Sequence, residues 1–186
     1  MPTMTRTPAL LFVALGLVLG GTTAFAQQPA RPALRVLLNE IQPSAMSAPQ
    51  YCMLVFDDHS YHSEKADIKH GADVDRAAFQ GKLSDTDWNA LIAIIDSKEF
   101  SDLKIPRTVP PPVMQDTHPY TISVARGNDF QNMEFLDSKS LKPYEPQVKP
   151  LLQWWKSVRG RHGSESSTTP DARCALDSTH GIIALW

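Results

Sequence analysis

Asp57, Asp58, His59, His62, Glu64, Asp67 and His70 form the densest run of proton- and metal-binding side chains in the sequence. Imidazole and carboxyl groups are metal ligands, and a site needs three or four of them converging on one point. His59 and His62 stand three apart, so on a strand they face opposite ways, and only a turn would bring them together. Asp116 and His118, in a proline-rich stretch, could present a general base to a cleft. No nucleophile accompanies them: there is no G-x-S-x-G, and Cys52 lies in an apolar stretch where burial is expected. Neither G-x-x-x-x-G-K-[ST], H-E-x-x-H nor G-x-G-x-x-G occurs. Residue types and spacing therefore single out no catalytic residue, no cofactor-binding residue and no metal ligand.

The elements that must position these groups are read from periodicity. Leu83 to Leu103 carries the clearest signal. Ser84 and Asp87 have the spacing of a capping box, and Trp88, Leu91, Ile92 and Ile95 fall on one helical stripe. A second helix is expected over about Val148 to Val158, with Val148, Leu151, Leu152 and Trp155 inward. Its Pro150 would lie in the first turn, so it should not start much before Gln147. Trp154, about 100° round from Trp155, is expected to be partly exposed. Leu34 to Ile41 reads as a strand, and Tyr51 to Phe56, apolar on both faces, as a central one. Asp57 to Ser60 forms a turn, and Tyr61 to Lys65 returns. Ala66 to Asp75 has no element signal, and Ala77 to Gln80 is a short strand. Lys104 to Pro119, rich in proline, is an extended, solvent-facing connection. Tyr120 to Arg126 and Phe130 to Asp137 make a second hairpin about Gly127. The fold expected is α+β: an antiparallel sheet of four to six strands, built from two hairpin-plus-helix units, with both helices packed on one face.

Residues 1–26 read as a signal peptide, with Arg6 in the basic region, an apolar core from Leu10 to Leu19, and Ala24-Phe25-Ala26 before the cut. A spacer (27–33), one domain (34–159) and a polar, disordered tail (160–186) follow. The apolar core is well short of the roughly 20 residues that span a bilayer. The expected location is periplasmic or secreted. The net charge of −2 becomes more negative once Arg6 is removed, which argues against a nucleic-acid partner. Cys52 and Cys174 are the only cysteines. A bridge between them would contribute about 3–5 kcal/mol. The polar tail favours instead a free, buried Cys52, with removal of the tail moving the melting temperature only slightly. The apolar end, Gly181 to Trp186, has no periodicity to place it.

Pro49 and Tyr51, Asp58 at the turn, and Leu83-Ser84 with Asp87 resemble a class of small exported bacterial proteins of unknown function. These open on a Pro-x-Tyr strand and later carry a helix beginning Leu-Ser. The resemblance covers about half of the chain after residue 26, and it implies no activity. Two departures stand out: no Cys-x-x-x-Cys precedes Tyr51, and His59 occupies the place of the turn glycine. The primary functional expectation is an exported, non-catalytic domain that binds a protein or envelope component through an open sheet face or the proline-rich strap. The alternative is a metal-binding protein or metal-dependent enzyme using Asp57 to His70.

Overall fold

The structure, a computed structural model, describes residues 32–42, 47–69, 74–105, 120–159, 161 and 171–174. Residues 1–31, which include the expected signal peptide, lie outside these. So do His70, most of the proline-rich connection with Asp116 and His118, and the tail apart from residues 161 and 171–174. Six strands, β1 (Leu34–Ile41), β2 (Ser47–Phe56), β3 (Ser60–Lys69), β4 (Val74–Lys82), β5 (Tyr120–Arg126) and β6 (Asp129–Phe135), form one sheet. All neighbours are antiparallel, in the order β4-β3-β2-β1-β5-β6. The helices are α1 (Asp85–Ile95), α2 (Lys98–Ser101), α3 (Ser138–Leu141) and α4 (Glu145–Arg159). Among the described residues, no helix is long and apolar enough to cross a membrane.

Alternation along the strands gives the sheet two chemically different faces. Val36, Leu38, Met53, Val55, Ile122, Val124, Met133 and Phe135 meet Leu91 and Ile95 of α1 and Leu151 and Trp155 of α4 in the larger core, so both long helices share one face. Ser84 caps α1 by accepting from the Asp87 N–H at 3.1 Å. The Asp87 carboxylate accepts the Ser84 hydroxyl and a fork from Arg161, so it does not reach back to the cap backbone. At the other end of α1, Asp96 pairs with Arg35 and Arg126, and Arg126 also donates to the Ile95 carbonyl at 2.6 Å. Those cations sit where the helix dipole favours them.

Three local expectations are corrected. The described part of the stretch from Ala66 to Asp75 is strand: β3 runs to Lys69 and β4 begins at Val74, with Ala66 opposite Arg76 and Ile68 opposite Val74. A polar edge strand needs backbone pairing but no apolar face, so it leaves little pattern to read. α4 begins at Glu145 and places Pro150 inside the helix. Pro146 and Pro150 are both exposed, so the carbonyl deprived of its partner stands on the water side. Trp154 is buried, because its indole N–H donates to the Asp87 carbonyl at 2.9 Å and draws the ring between the helices.

The fourth correction concerns the cysteines. Cys52 is not a free thiol: it is bridged to Cys174, with a Cα–Cα distance of 5.7 Å across 122 residues of sequence. Cys174 ends a 3-10 turn, Ala172–Cys174, that docks on the sheet face opposite the helices, beside Leu37, Leu54 and Ala66.

On the helix face, Glu40 is buried and accepts hydrogen bonds from the Gln42 amide and the Tyr120 hydroxyl (2.9 Å), while Arg159 of α4 pairs with its other oxygen. Burial alone pushes this carboxyl up, but the Gln42 hydrogen bond, the Arg159 charge and its hydrogen bond, and the Tyr120 hydroxyl together hold it below its ordinary 4.5. A lowered folded-state value means stability that is complete above 4.5 and is lost as pH falls through the folded value.

Two outcomes are expected. Tyr120→Phe should cost about 1.5–3 kcal/mol at neutral pH, as befits a hydrogen bond to a charged group. In urea titrations the gap between variant and parent should narrow below pH 4.5. Limited trypsin digestion of the non-reduced protein should leave the peptide containing Cys174 attached until reductant is added. Replacing Cys174 by Ser should lower stability by about 3–5 kcal/mol.

Candidate functional site

The six described residues of the Asp57 to His70 run, all but His70, are dispersed by the fold. Asp57 accepts the Ala33 N–H at 3.0 Å and ties down the start of β1, while Asp58 accepts the Ser60 N–H and closes the turn. His59 adopts φ +67, the left-handed region that favours glycine, which suits its place at the turn. Its ring stacks on Trp88 at 4.3 Å, with Asp85 3.7 Å away. Asp67 lies on the strand face opposite Glu64.

Among the described residues of this run, only His62 and Glu64 come together. They are two apart on β3, so both face away from the helices, and both are buried. Register places Glu64 directly opposite Cys52 on β2, and His62 opposite Gln80 on β4. The Gln80 amide approaches His62 Nδ1 at 3.4 Å, and His62 Nε2 meets Glu64 Oε1 at 2.7 Å. With Gln80 donating to Nδ1, the ring proton lies on Nε2 and is donated to the carboxyl.

The third member comes from the far end of the chain. The Asp171 N–H donates to the same Glu64 Oε1 at 2.6 Å, 107 residues away in sequence. This anchors the turn that carries Cys174. The turn is held together by its own ion pair: the Arg173 guanidinium binds the Asp171 carboxylate at 2.7 Å and lies 5.0 Å over the Phe56 ring. That hydrogen bond takes Asp171 down to about 2, and the Arg173–Asp171 pair carries no net charge to repel a cation nearby. As a result the ligand atoms of His62, Glu64 and Cys174 all lie within 4.8 Å of one another, and all three residues are buried.

Three buried polar side chains beside the bridge are incompletely satisfied. Glu64 Oε2 has no hydrogen-bond partner among the described residues, nor has either side-chain polar atom of Asn39 or of Gln50. Asn39 stands opposite Cys52 on β1. A buried acceptor left unmade costs about 1–3 kcal/mol, more if charged. A bound cation would remove that cost.

No protein-family model matches the chain, and no curated protein matches it at significance. The site therefore stands on its own chemistry.

His59 offers a test of the division between turn and site. Its left-handed backbone costs about 1–2 kcal/mol, against about 0.5–1.5 kcal/mol from the Trp88 stack. His59→Ala keeps the strain and loses the stack, so it should be destabilised by about 0.5–1.5 kcal/mol. His59→Gly removes both and should lie within about 1 kcal/mol of the parent. Urea unfolding of the three proteins checks the order.

Proposed function

We propose that this protein is an exported domain that binds a transition-metal ion of the zinc, copper or nickel class at His62 and Glu64, beside the sulfur of Cys174. The observation that carries the reading is the buried convergence of these three ligand atoms within 4.8 Å, with one Glu64 oxygen lacking a partner. In a tetrahedral site with bonds of about 2.0–2.3 Å, ligand atoms stand roughly 3.3–3.7 Å apart, so the donors need only small adjustments to close on an ion. Imidazole selects such ions, whereas calcium and magnesium take oxygen ligands in larger number. The role is one of holding a metal rather than turning over substrate, because all three side chains are buried, away from any substrate. Export is supported by the N-terminal pattern and by a disulfide of the kind that persists outside the cytosol.

The partner-binding expectation has less behind it. The centre of the second sheet face is buried around Leu37, Cys52 and Leu54, with Cys174 seated among them, so it is not an open docking surface. The proline-rich strap lies outside the described residues.

Calorimetric titration of the purified chain, its disulfide intact, with zinc, copper and nickel tests the proposal. A weak but saturable heat is expected. It should be abolished in His62→Gln, with folding checked by circular dichroism, and unchanged in His59→Ala. No saturable heat with any of the three ions, or a heat indifferent to His62→Gln, would overturn the reading.

A further inference from the structure

Resting on that reading of the site, we propose that the Cys52–Cys174 disulfide gates it: opened by a dithiol reductant, both cysteines join His62 and Glu64 as the four ligands of a zinc-class ion.

The placement of the four residues carries this. Cys52 and Glu64 are direct cross-strand partners on β2 and β3, and His62 lies next to Glu64 on the same face. The Cys174 sulfur is already within 4.8 Å of the His62 and Glu64 ligand atoms, and the Cys52 sulfur is bonded to it. With the bridge intact, each sulfur uses a valence on the other and is a poor donor, leaving two good ligands. With it open, the set becomes one nitrogen, one oxygen and two sulfurs, the composition and number that tetrahedral zinc takes. The surroundings suit such a centre. Leu37, Leu54 and Ala66 exclude water from it. Asn39, opposite Cys52, brings a buried amide whose two N–H bonds are unused among the described residues, a donor of the type that steadies metal-bound thiolates.

The chemistry balances without further reagents. The disulfide accepts two electrons and two protons from the dithiol, which leaves as its own disulfide. Each cysteine thiol then gives up its proton on binding the divalent cation, so two protons are released and the metal keeps its oxidation state. The cross-link is exchanged rather than lost: a sulfur–metal–sulfur connection takes over from the sulfur–sulfur bond in holding residues 171–174 to the sheet. The Asp171 N–H to Glu64 and the Arg173 cation over Phe56 keep that turn close while the bridge is open.

The test uses the full chain, reduced with a phosphine that is removed before titration, with cobalt(II) as the spectroscopic probe and zinc as competitor. The reduced protein should develop thiolate-to-cobalt charge-transfer absorption together with the intense visible bands of tetrahedral cobalt, and the oxidised protein should show neither. Zinc should bleach both, with an affinity at least about 100-fold above that of the oxidised form. Cys174→Ser should roughly halve the charge-transfer intensity, and His62→Gln should shift the visible bands. Zinc should also restore to the reduced protein the trypsin-resistant attachment of the Cys174 segment. Refolding of a reduced, partly unfolded chain on adding metal would support the proposal equally. No thiolate band in the reduced protein, or a band untouched by His62→Gln, overturns it. If that failure occurs while oxidised protein still shows a zinc heat dependent on His62, only the gating is lost; if the heat is absent too, the proposed function falls with it. A thiolate band dependent on His62 without any heat in the oxidised protein supports four-ligand binding by the reduced form and overturns the proposed binding by the oxidised form.

Discussion

The Cys52–Cys174 bridge is the contact on which the second face of the sheet depends. β2 is buried on both sides, and toward the helices its Met53 and Val55 are covered by a core built from neighbouring elements. Away from them, Cys52 and Leu54 are covered with the help of a turn that returns from far along the chain. A three-residue 3-10 turn cannot hold that position through its own apolar area. A covalent tie, one backbone hydrogen bond to Glu64 and one cation over an aromatic ring do so together.

This has a consequence for polarity. A sheet face usually buries either apolar side chains or none, yet here Asn39, Gln50, His62 and Glu64 are all buried around the bridge. Burying such groups costs free energy unless each finds a partner, and several of their atoms have none among the described residues. Incomplete satisfaction of this kind is expected at a ligand site rather than in a purely structural core. The helix face provides the contrast. Its one buried carboxyl among the described residues, Glu40, is met by Gln42, Tyr120 and Arg159, and Arg159 is itself sandwiched by Tyr51 and Trp155. There the charge is matched, and its effect is to fasten the end of α4 to β1.

The hairpin turn illustrates how one position can serve the fold at some local cost. His59 takes a backbone conformation better suited to glycine, and its ring covers Trp88 at the start of α1. The Leu83 N–H also donates to the His59 carbonyl at 2.9 Å, so the turn and the entry to the helix are set against each other. On the opposite edge of Tyr61, Gly81 leaves room for the aromatic ring, since a Cβ there would stand 2.8 Å from the hydroxyl.

Local periodicity in the sequence determined the elements that bury apolar stripes: the strands about Leu34 to Ile41 and Tyr120 to Arg126, the Ser84 cap, the Trp88-Leu91-Ile95 stripe, and the α+β arrangement with both helices on one face. These could be read because burial imposes a period on neighbouring residues. The edge hairpin through Ala66 and Val74 left no such trace, since its pairing is made by backbone groups common to every residue. Pro150 was misleading for a related reason, because exposure made a helix interior tolerable. His59 lies in the turn, where strand alternation does not apply, and it stays apart from His62 all the same, whereas alternation applied to His62 and Glu64 would have placed them on one face. Only tertiary structure decided that Cys52 stands opposite Glu64, and that Asp171 and Cys174 return to meet them. Cross-strand register and long-range chain return depend on the sum of contacts over the whole sheet, and no interval of sequence around Cys174 carries that information.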